Sequence, residues 1–199
     1  MKLSGKKALD TASDAELIRA YLKGDEKAFE VLYYRYRQVL YGYLNNLADR
    51  HHTEADEVFA ETWLRVIDKL SGYRDNGKFS AWLFRVARNI FIDRIRRLHP
   101  EKFVPLNGEE GVEMAGITGF SPDRETGTGD IRNAIDMALN NLPPEQKEVF
   151  LLREEAELSF REIANIQQCS LGTVLSRMRY ALKNLRAFLQ NIDSGGLLE

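Results

Sequence analysis

Apolar residues recur at helical spacing through most of the chain and lapse in one long central stretch. Leu17, Ile18, Tyr21 and Leu22 share one face of a short helix that Ser13 and Glu16 open as a capping box and Gly24 stops. A second helix is expected from about Glu26 to Ala48, with Phe29, Leu32, Tyr33, Tyr36, Leu40, Tyr43 and Leu47 forming a buried stripe at i+3 and i+4. The third begins near Thr53 and turns Val58, Phe59, Thr62, Trp63, Val66, Ile67 and Leu70 inward. A polar loop, Ser71 to Lys78, separates it from a fourth helix over Phe79 to Leu98. Beyond the lapse, a helix near Ile131–Asn141 is broken by Pro143-Pro144, and Pro144 suits the first turn of the next helix. Ser159 and Glu162 form another capping box. A short turn, Gln167-Gln168-Cys169, leads to a long last helix capped by Ser170 and reaching roughly Asn191.

This pattern predicts an all-α protein: two small helical domains over 13–98 and 131–192, the second a helix-turn-helix, joined by a flexible acidic linker over 99–130. Flexible ends are expected at 1–12 and 193–199. The length of 199 residues suits two small domains. No apolar run approaches the ~20 residues that cross a bilayer. With no secretory signal visible, a cytoplasmic protein with no membrane insertion of its own is expected. The one cysteine, Cys169, excludes an intrachain disulfide and fits a reducing compartment.

Charge changes the picture only when it is divided. The whole chain carries −2, which argues against a nucleic-acid binder if spread evenly. It is not spread evenly: the linker holds seven acids against two bases, net −5. From Arg74 to Arg97 seven bases face two acids, net +5. At 100° per residue Trp82, Arg85, Asn89, Asp93 and Arg96 fall on one narrow face of the fourth helix. Leu83, Val86, Ala87, Ile90, Phe91 and Leu98 occupy a separate arc. Guanidinium groups meet phosphates, an amide pairs with a base edge and an aromatic ring stacks on an unpaired base. The same residues also fit a solvated basic face with Trp82 in the core.

The last two helices have helix-turn-helix spacing, and Ala164 supplies a small residue where they cross. Val174, Met178, Leu182, Leu185 and Leu189 are expected to face the core, with Thr173, Ser176, Arg177, Tyr180 and Lys183 outward. Between Ile163 and Ile192 the charged residues are Arg177, Arg179, Lys183 and Arg186, all basic. Such a helix fits a major groove, with Arg177 reading guanine and hydroxyls positioning phosphates. An ordinary helical hairpin is the plainer alternative. Other chemistry is thin. His51 and His52 are adjacent and cannot ligate a metal as i,i+4 partners, Cys169 has no histidine near it, and no phosphate loop or hydrolase elbow occurs. No metal, cofactor, small-molecule substrate or catalytic residue is expected.

Four stretches in this order resemble the extracytoplasmic-function (ECF) sigma factors: GDEKAFEVLYYRY (24–36), EADEVFAETWLRV (54–66), KFSAWLFRVARNIFIDRIRR (78–97) and LPPEQKEVFLLREEAELSFREIANIQQCSLGTVLSRMRYALKNLR (142–186). Only conserved regions two and four are present in the match. The resemblance implies a non-enzymatic initiation factor that binds core RNA polymerase and promoter DNA. Asp56, Glu57, Glu61, Thr62 and Arg65 are then the candidate contacts to the β′ clamp helices, and the β flap is a further implied partner. Tyr73, Arg74, Lys78, Trp82, Arg85, Arg88, Asn89 and Arg96 become candidates for melting and holding the −10 element, where capturing an extruded base offsets the unstacking cost. Ser170, Thr173, Ser176, Arg177, Tyr180 and Lys183 become candidates for the −35 duplex. An anti-sigma factor is the implied regulatory partner.

Departures from the family pattern are specific. Ala60 stands where Gln is usual, and Asp56-Glu57 reverses the common order. Glu157 and Gln168 take positions that favour Gly, and Leu175 replaces a Lys that often meets phosphate. Two other readings of the residues are a sigma mimic that binds an anti-sigma factor without recognising promoters, and a stand-alone helix-turn-helix repressor. The mimic usually carries a receiver domain, for which there is no α/β pattern. The repressor would need a ligand pocket or dimer face in the first domain, where the aromatic residues fall at core spacing.

Overall fold

Local chemistry sets where the helices start. A computed structural model describes residues 9–48, 52–74, 77–98 and 130–194. Helix α1 spans Asp14–Tyr21 behind the Ser13 capping box: Ser13 N donates to Glu16 Oε2 at 2.8 Å and Glu16 N donates to Ser13 Oγ at 3.4 Å. The Ser13 backbone N–H holds the Glu16 carboxyl below its usual pKa. Helices α2 (Glu26–Leu47), α3 (His52–Leu70) and α4 (Phe79–Leu98) follow. After them come α5 (Asp130–Asn140), α6 (Pro144–Glu154), α7 (Phe160–Gln167) and α8 (Leu171–Ser194). The second capping box forms as well, with Ser159 N donating to Glu162 Oε2 at 2.9 Å. A box of this kind is worth about 1 kcal/mol. All described regular structure is α-helical, and the chain divides into two compact units, Met1–Arg97 and Leu98–Glu199.

The core of the first unit is built on α2. Leu32, Leu40, Tyr43, Leu44 and Leu47 are buried along it. Tyr33 and Phe29 meet Trp63 of α3 with ring centroids 4.9 and 5.8 Å apart. Tyr36 meets Phe79 at 5.5 Å and Tyr43 meets Phe84 at 5.2 Å, both on α4. Tyr43 is thus a core residue, Phe29, Tyr33 and Tyr36 are half-buried against the neighbouring helices, and Tyr34 is exposed. Tyr36 also donates to Asp14 Oδ2 at 2.5 Å, and burial followed by that carboxylate pushes its hydroxyl far above the usual range. Arg35 pairs with Asp14 at 2.5 Å and donates to the Ala12 carbonyl at 2.8 Å.

The second unit packs α5, α6 and α7 against α8. Val174, Met178, Ala181 and Leu185 are the buried stripe of α8. They oppose Val149, Leu151 and Leu152 of α6 and Ile163, Ala164 and Ile166 of α7 in one apolar core.

Several expectations change. Leu22, Ile67, Leu98, Leu182 and Leu189, assigned to inner faces, are 39–50% exposed. Each lies at the edge or end of its helix's apolar arc, and the small Ala181 takes the core position beside Leu182. The supposed flexible stretch 1–12 is packed from Leu9 to Ala12: both residues are buried, and Arg35 holds the carbonyl of Ala12. Asp130 belongs to α5 and Asp193–Ser194 to α8. The remainder of the linker (99–129) and of the two ends (1–8 and 195–199) lies outside the described residues.

Glu157 and Gln168 are the non-glycine residues with positive φ among those described, at 54° and 55°. These are the two positions where the sequence pattern favours Gly. A side chain there crowds the following carbonyl by roughly 1–2 kcal/mol, against the 0.5–1 kcal/mol of extra chain entropy that Gly loses on folding. Gln168→Gly is therefore expected to stabilise the second unit by ~0.5–1 kcal/mol, read as a higher urea midpoint at an unchanged slope. A lower midpoint refutes it.

Candidate nucleic-acid interface

The basic strip of α4 is exposed where nucleic acid could reach it. Arg85, Asn89, Asp93 and Arg96 are open to solvent, and Arg88 is half-buried beside them. Arg74 and Lys78 are exposed in the segment leading into the helix. Trp82 lies between the two readings the sequence allowed. It is half-buried, with Tyr73 tilted over it at 4.7 Å and Phe79 at 5.7 Å. Tyr73 is half-buried too, and its ring meets Phe79 edge-on at 5.8 Å. The structure therefore gathers Tyr73, Trp82 and Phe79 into an aromatic cluster at the start of the basic strip. Of the loop over Ser71–Lys78, residues 75 and 76 lie outside the described residues.

The outer face of α3 carries acids beside apolar groups. Asp56 accepts from Tyr41 Oη at 2.9 Å, and this bond raises the Tyr41 pKa above its usual range. Glu57 pairs with Arg94 of α4, and Glu61 with Arg65 at 2.8 Å. Glu61, Arg65, Ile90, Asp93, Arg96 and Arg97 line an open groove of about 330 Å³ between α3 and α4. Thr62 is a correction: it has no exposed surface, and its hydroxyl donates to the Val58 carbonyl at 2.7 Å. It belongs to the core and offers nothing to a partner, because i+4 and i+7 neighbours of Val58 and Ala55 face inward. Sequence reasoning missed Leu64 instead, which is 69% exposed. With Ala60 and Ile67 it forms an apolar strip at i, i+4 and i+7, and the signal was a leucine standing alone outside the core arc.

In the second unit α7 and α8 meet at a tight turn. Gln167 ends α7, so the turn is Gln168-Cys169-Ser170, one residue later than expected. The left-handed Gln168 lets Cys169 N reach the Ala164 carbonyl at 3.1 Å. Ser170 Oγ accepts from Thr173 N at 3.0 Å and so caps α8. Ser170, Ser176, Tyr180 and Lys183 are exposed, and Thr173 is half-buried. Arg179 lies over the Tyr180 ring at 5.2 Å. Arg177 is less outward than expected: it is half-buried, and Nη1 donates to Gln167 Oε1 at 3.0 Å. Buried Lys147, Glu148 and Gln167 were not foreseen, because polar residues at interior positions leave no trace in an apolar pattern.

Among the described residues no group of three or more His, Cys, Asp or Glu is placed to hold a metal ion. No described helix is long and apolar enough to cross a membrane. One helical unit thus carries an exposed basic strip beside a half-buried aromatic cluster, and the other a helix-turn-helix.

The family model Sigma-70 region 2 matches residues 32–100, and Sigma-70, region 4 matches 132–185. The chain is an ECF member of the sigma-70 family. This ECF sigma factor is 29% identical to the ECF RNA polymerase sigma factor SigW of Bacillus subtilis, over 88% of this chain and 96% of that one. It is 28% identical to the RNA polymerase sigma-H factor of Pseudomonas aeruginosa, over 92% and 96%. Its fold is that of the Bartonella quintana sigma factor RpoE, solved in complex with the anti-sigma factor NepR, with TM-score 0.62 and 22% identity over 82% of this chain and 98% of that chain. The ECF sigma factor therefore serves transcription initiation, through RNA polymerase binding and promoter recognition, and is not itself catalytic.

Thr62→Val is expected to leave core-polymerase affinity unchanged. Leu64→Asp, equally compatible with the fold, is expected to weaken it about tenfold, or ~1–1.5 kcal/mol, within what burying a leucine side chain against a partner is worth. Fluorescence anisotropy of the labelled factor with core polymerase checks both. Equal weakening in the two variants refutes the reassignment.

Proposed function

We propose that the two units divide promoter recognition between them. The N-terminal unit melts and holds the −10 element. Arg74, Lys78, Arg85, Arg88 and Arg96 meet the backbone of the unpaired strand. Asn89 pairs with a base edge, and Tyr73 and Trp82 supply stacking surface. The C-terminal unit lays the start of α8 in the major groove of the −35 duplex. There Ser170, Thr173 and Ser176 position phosphates, Tyr180 and Lys183 flank them, and Arg177 reads guanine. Asp56, Glu57, Glu61 and Arg65, joined by Leu64, dock on the β′ clamp helices, and the C-terminal unit meets the β flap.

The observation that carries this reading is the one-signed charge of the turn and of α8 as far as Asn191. From Ile163 to Asn191 the charged side chains are all basic, in a chain whose total is negative. The excess of acid elsewhere suits a factor that binds promoters through polymerase rather than coating DNA alone. We infer further that the factor works in the cytoplasm, where polymerase and DNA are, and that an anti-sigma factor holds it inactive. Support for the latter comes from the Bartonella quintana neighbour, whose structure contains one.

In vitro transcription with purified core polymerase and genomic promoter fragments tests the whole. Specific initiation is expected. Free duplex binding without initiation would point to a repressor. Arg177→Ala is expected to weaken −35 binding by ~1–3 kcal/mol, measured by titrating holoenzyme onto promoter fragments. Asn89→Ala is expected to impair open-complex formation more than duplex association, seen as weaker permanganate reactivity of −10 thymines. Unaltered reactivity would remove Asn89 from the site.

A further inference from the structure

Buried charged and amide side chains persist only where they are paired, and each one needs a reason. Lys147 has one: its Nζ donates to Asn140 Oδ1 at 2.8 Å. Glu148 and Gln167 form a different arrangement, a relay of hydrogen bonds that leads from α6 through the end of α7 to the DNA-facing side of α8. Gln167 Nε2 donates to Glu148 Oε2 at 2.8 Å and to the Glu145 carbonyl at 3.3 Å. On its other side Gln167 Oε1 accepts from Arg177 Nη1 at 3.0 Å. The same Nη1 lies 3.5 Å from Cys169 Sγ. Glu148 and Gln167 are buried, at 6% and 8% exposure, while Arg177 reaches the surface.

The chemistry of the three groups allows only one orientation. A carboxylate accepts and cannot donate, and a guanidinium donates and cannot accept. The Gln167 amide therefore turns its NH₂ to Glu148 and its oxygen to Arg177. A negative charge behind it and a positive charge ahead polarise it in the same sense, which strengthens both bonds. With Nη1 held against the turn, Arg177 keeps Nε and Nη2 for a base.

We propose that Gln167 and Glu148 are positioning residues for promoter readout: they fix the Arg177 guanidinium so that it presents its Nε and Nη2 edge to guanine in the −35 element. Neither residue touches DNA. The proposal rests on the reading of Arg177 as a −35 contact. Removing the amide leaves Arg177 in place but free to swing, so discrimination falls while the charge that meets the groove remains.

The test is selection from a duplex library randomised across the −35 element, using holoenzyme made from the full chain and core polymerase. The wild-type factor and Arg177→Ala together identify the base pair that Arg177 reads. Gln167→Leu is expected to lose about three- to tenfold selectivity at that base pair, the worth of one hydrogen bond. Selectivity elsewhere stays unchanged, and Gln167→Leu has no further effect in an Arg177→Ala background. Glu148→Gln, which keeps the volume but lets the amide invert, is expected to lose selectivity at the same base pair and serves if Gln167→Leu does not fold. Full selectivity in both variants, with selectivity lost in Arg177→Ala, overturns the positioning role and leaves the Arg177 contact standing. A uniform loss across all base pairs, with a lowered melting temperature, also overturns it and makes the relay purely structural. Wild-type selectivity in Arg177→Ala overturns the underlying reading itself.

Discussion

Stacking of the α2 aromatic residues on their neighbours is the constraint from which the N-terminal unit follows. Tyr33 and Phe29 grip Trp63 of α3, and Tyr36 and Tyr43 grip Phe79 and Phe84 of α4. Each edge-on pair adds about 0.5–1.5 kcal/mol beyond the area it buries. More important, each fixes the rotation of a helix about its own axis. With Phe84 packed on Tyr43 of α2 and Ala87 buried, Arg85 and Asn89 are left pointing outward. The same logic turns Leu64 out when Thr62 and Trp63 turn in. The functional faces are what remains after the core has taken its side of every helix.

Helix positions are legible in the sequence wherever a covalently local rule decides them. The two Ser-x-x-Glu boxes and the Pro144 start depend on neighbours within one turn, and all three stand where the pattern puts them. Core membership is less legible, because it depends on which helix lies opposite. Leu182 and Leu189 have core spacing on α8 and are nonetheless exposed, while Ala181, too small to weigh in an apolar pattern, is fully buried. Thr62 fails in the opposite direction. Read as a polar surface residue, it is satisfied by its own helix at the Val58 carbonyl and so can sit in the interior. The basic strip on α4 is legible because exposure and charge agree there. The setting of Arg177 is not, since it depends on a buried amide and a carboxylate from two other helices.

The two units solve the problem of a small core differently. The first relies on large rings, takes Thr62 inside and gathers Tyr36 and Arg35 around Asp14 where the N-terminal segment meets α2. The second uses aliphatic side chains and admits polar ones inside. It also holds two side chains in left-handed backbone at the turns on either side of α7, where Gly is the unstrained choice. Glu157 precedes the helix-turn-helix, and Gln168 lies in its turn.

The order of the helices has a kinetic consequence. In the first unit helices pack on the next in the chain, α1 on α2 and α2 on α3, as α7 does on α8 in the second, where α5 and α6 also reach α8 across intervening helices. Contacts of short sequence separation close small loops, and helical domains wired this way fold in microseconds to milliseconds. The last core residue of the first unit, Ile95, precedes every helix of the second. During synthesis the N-terminal unit can thus finish folding while the helix-turn-helix has yet to be translated, and neither unit need wait for the other.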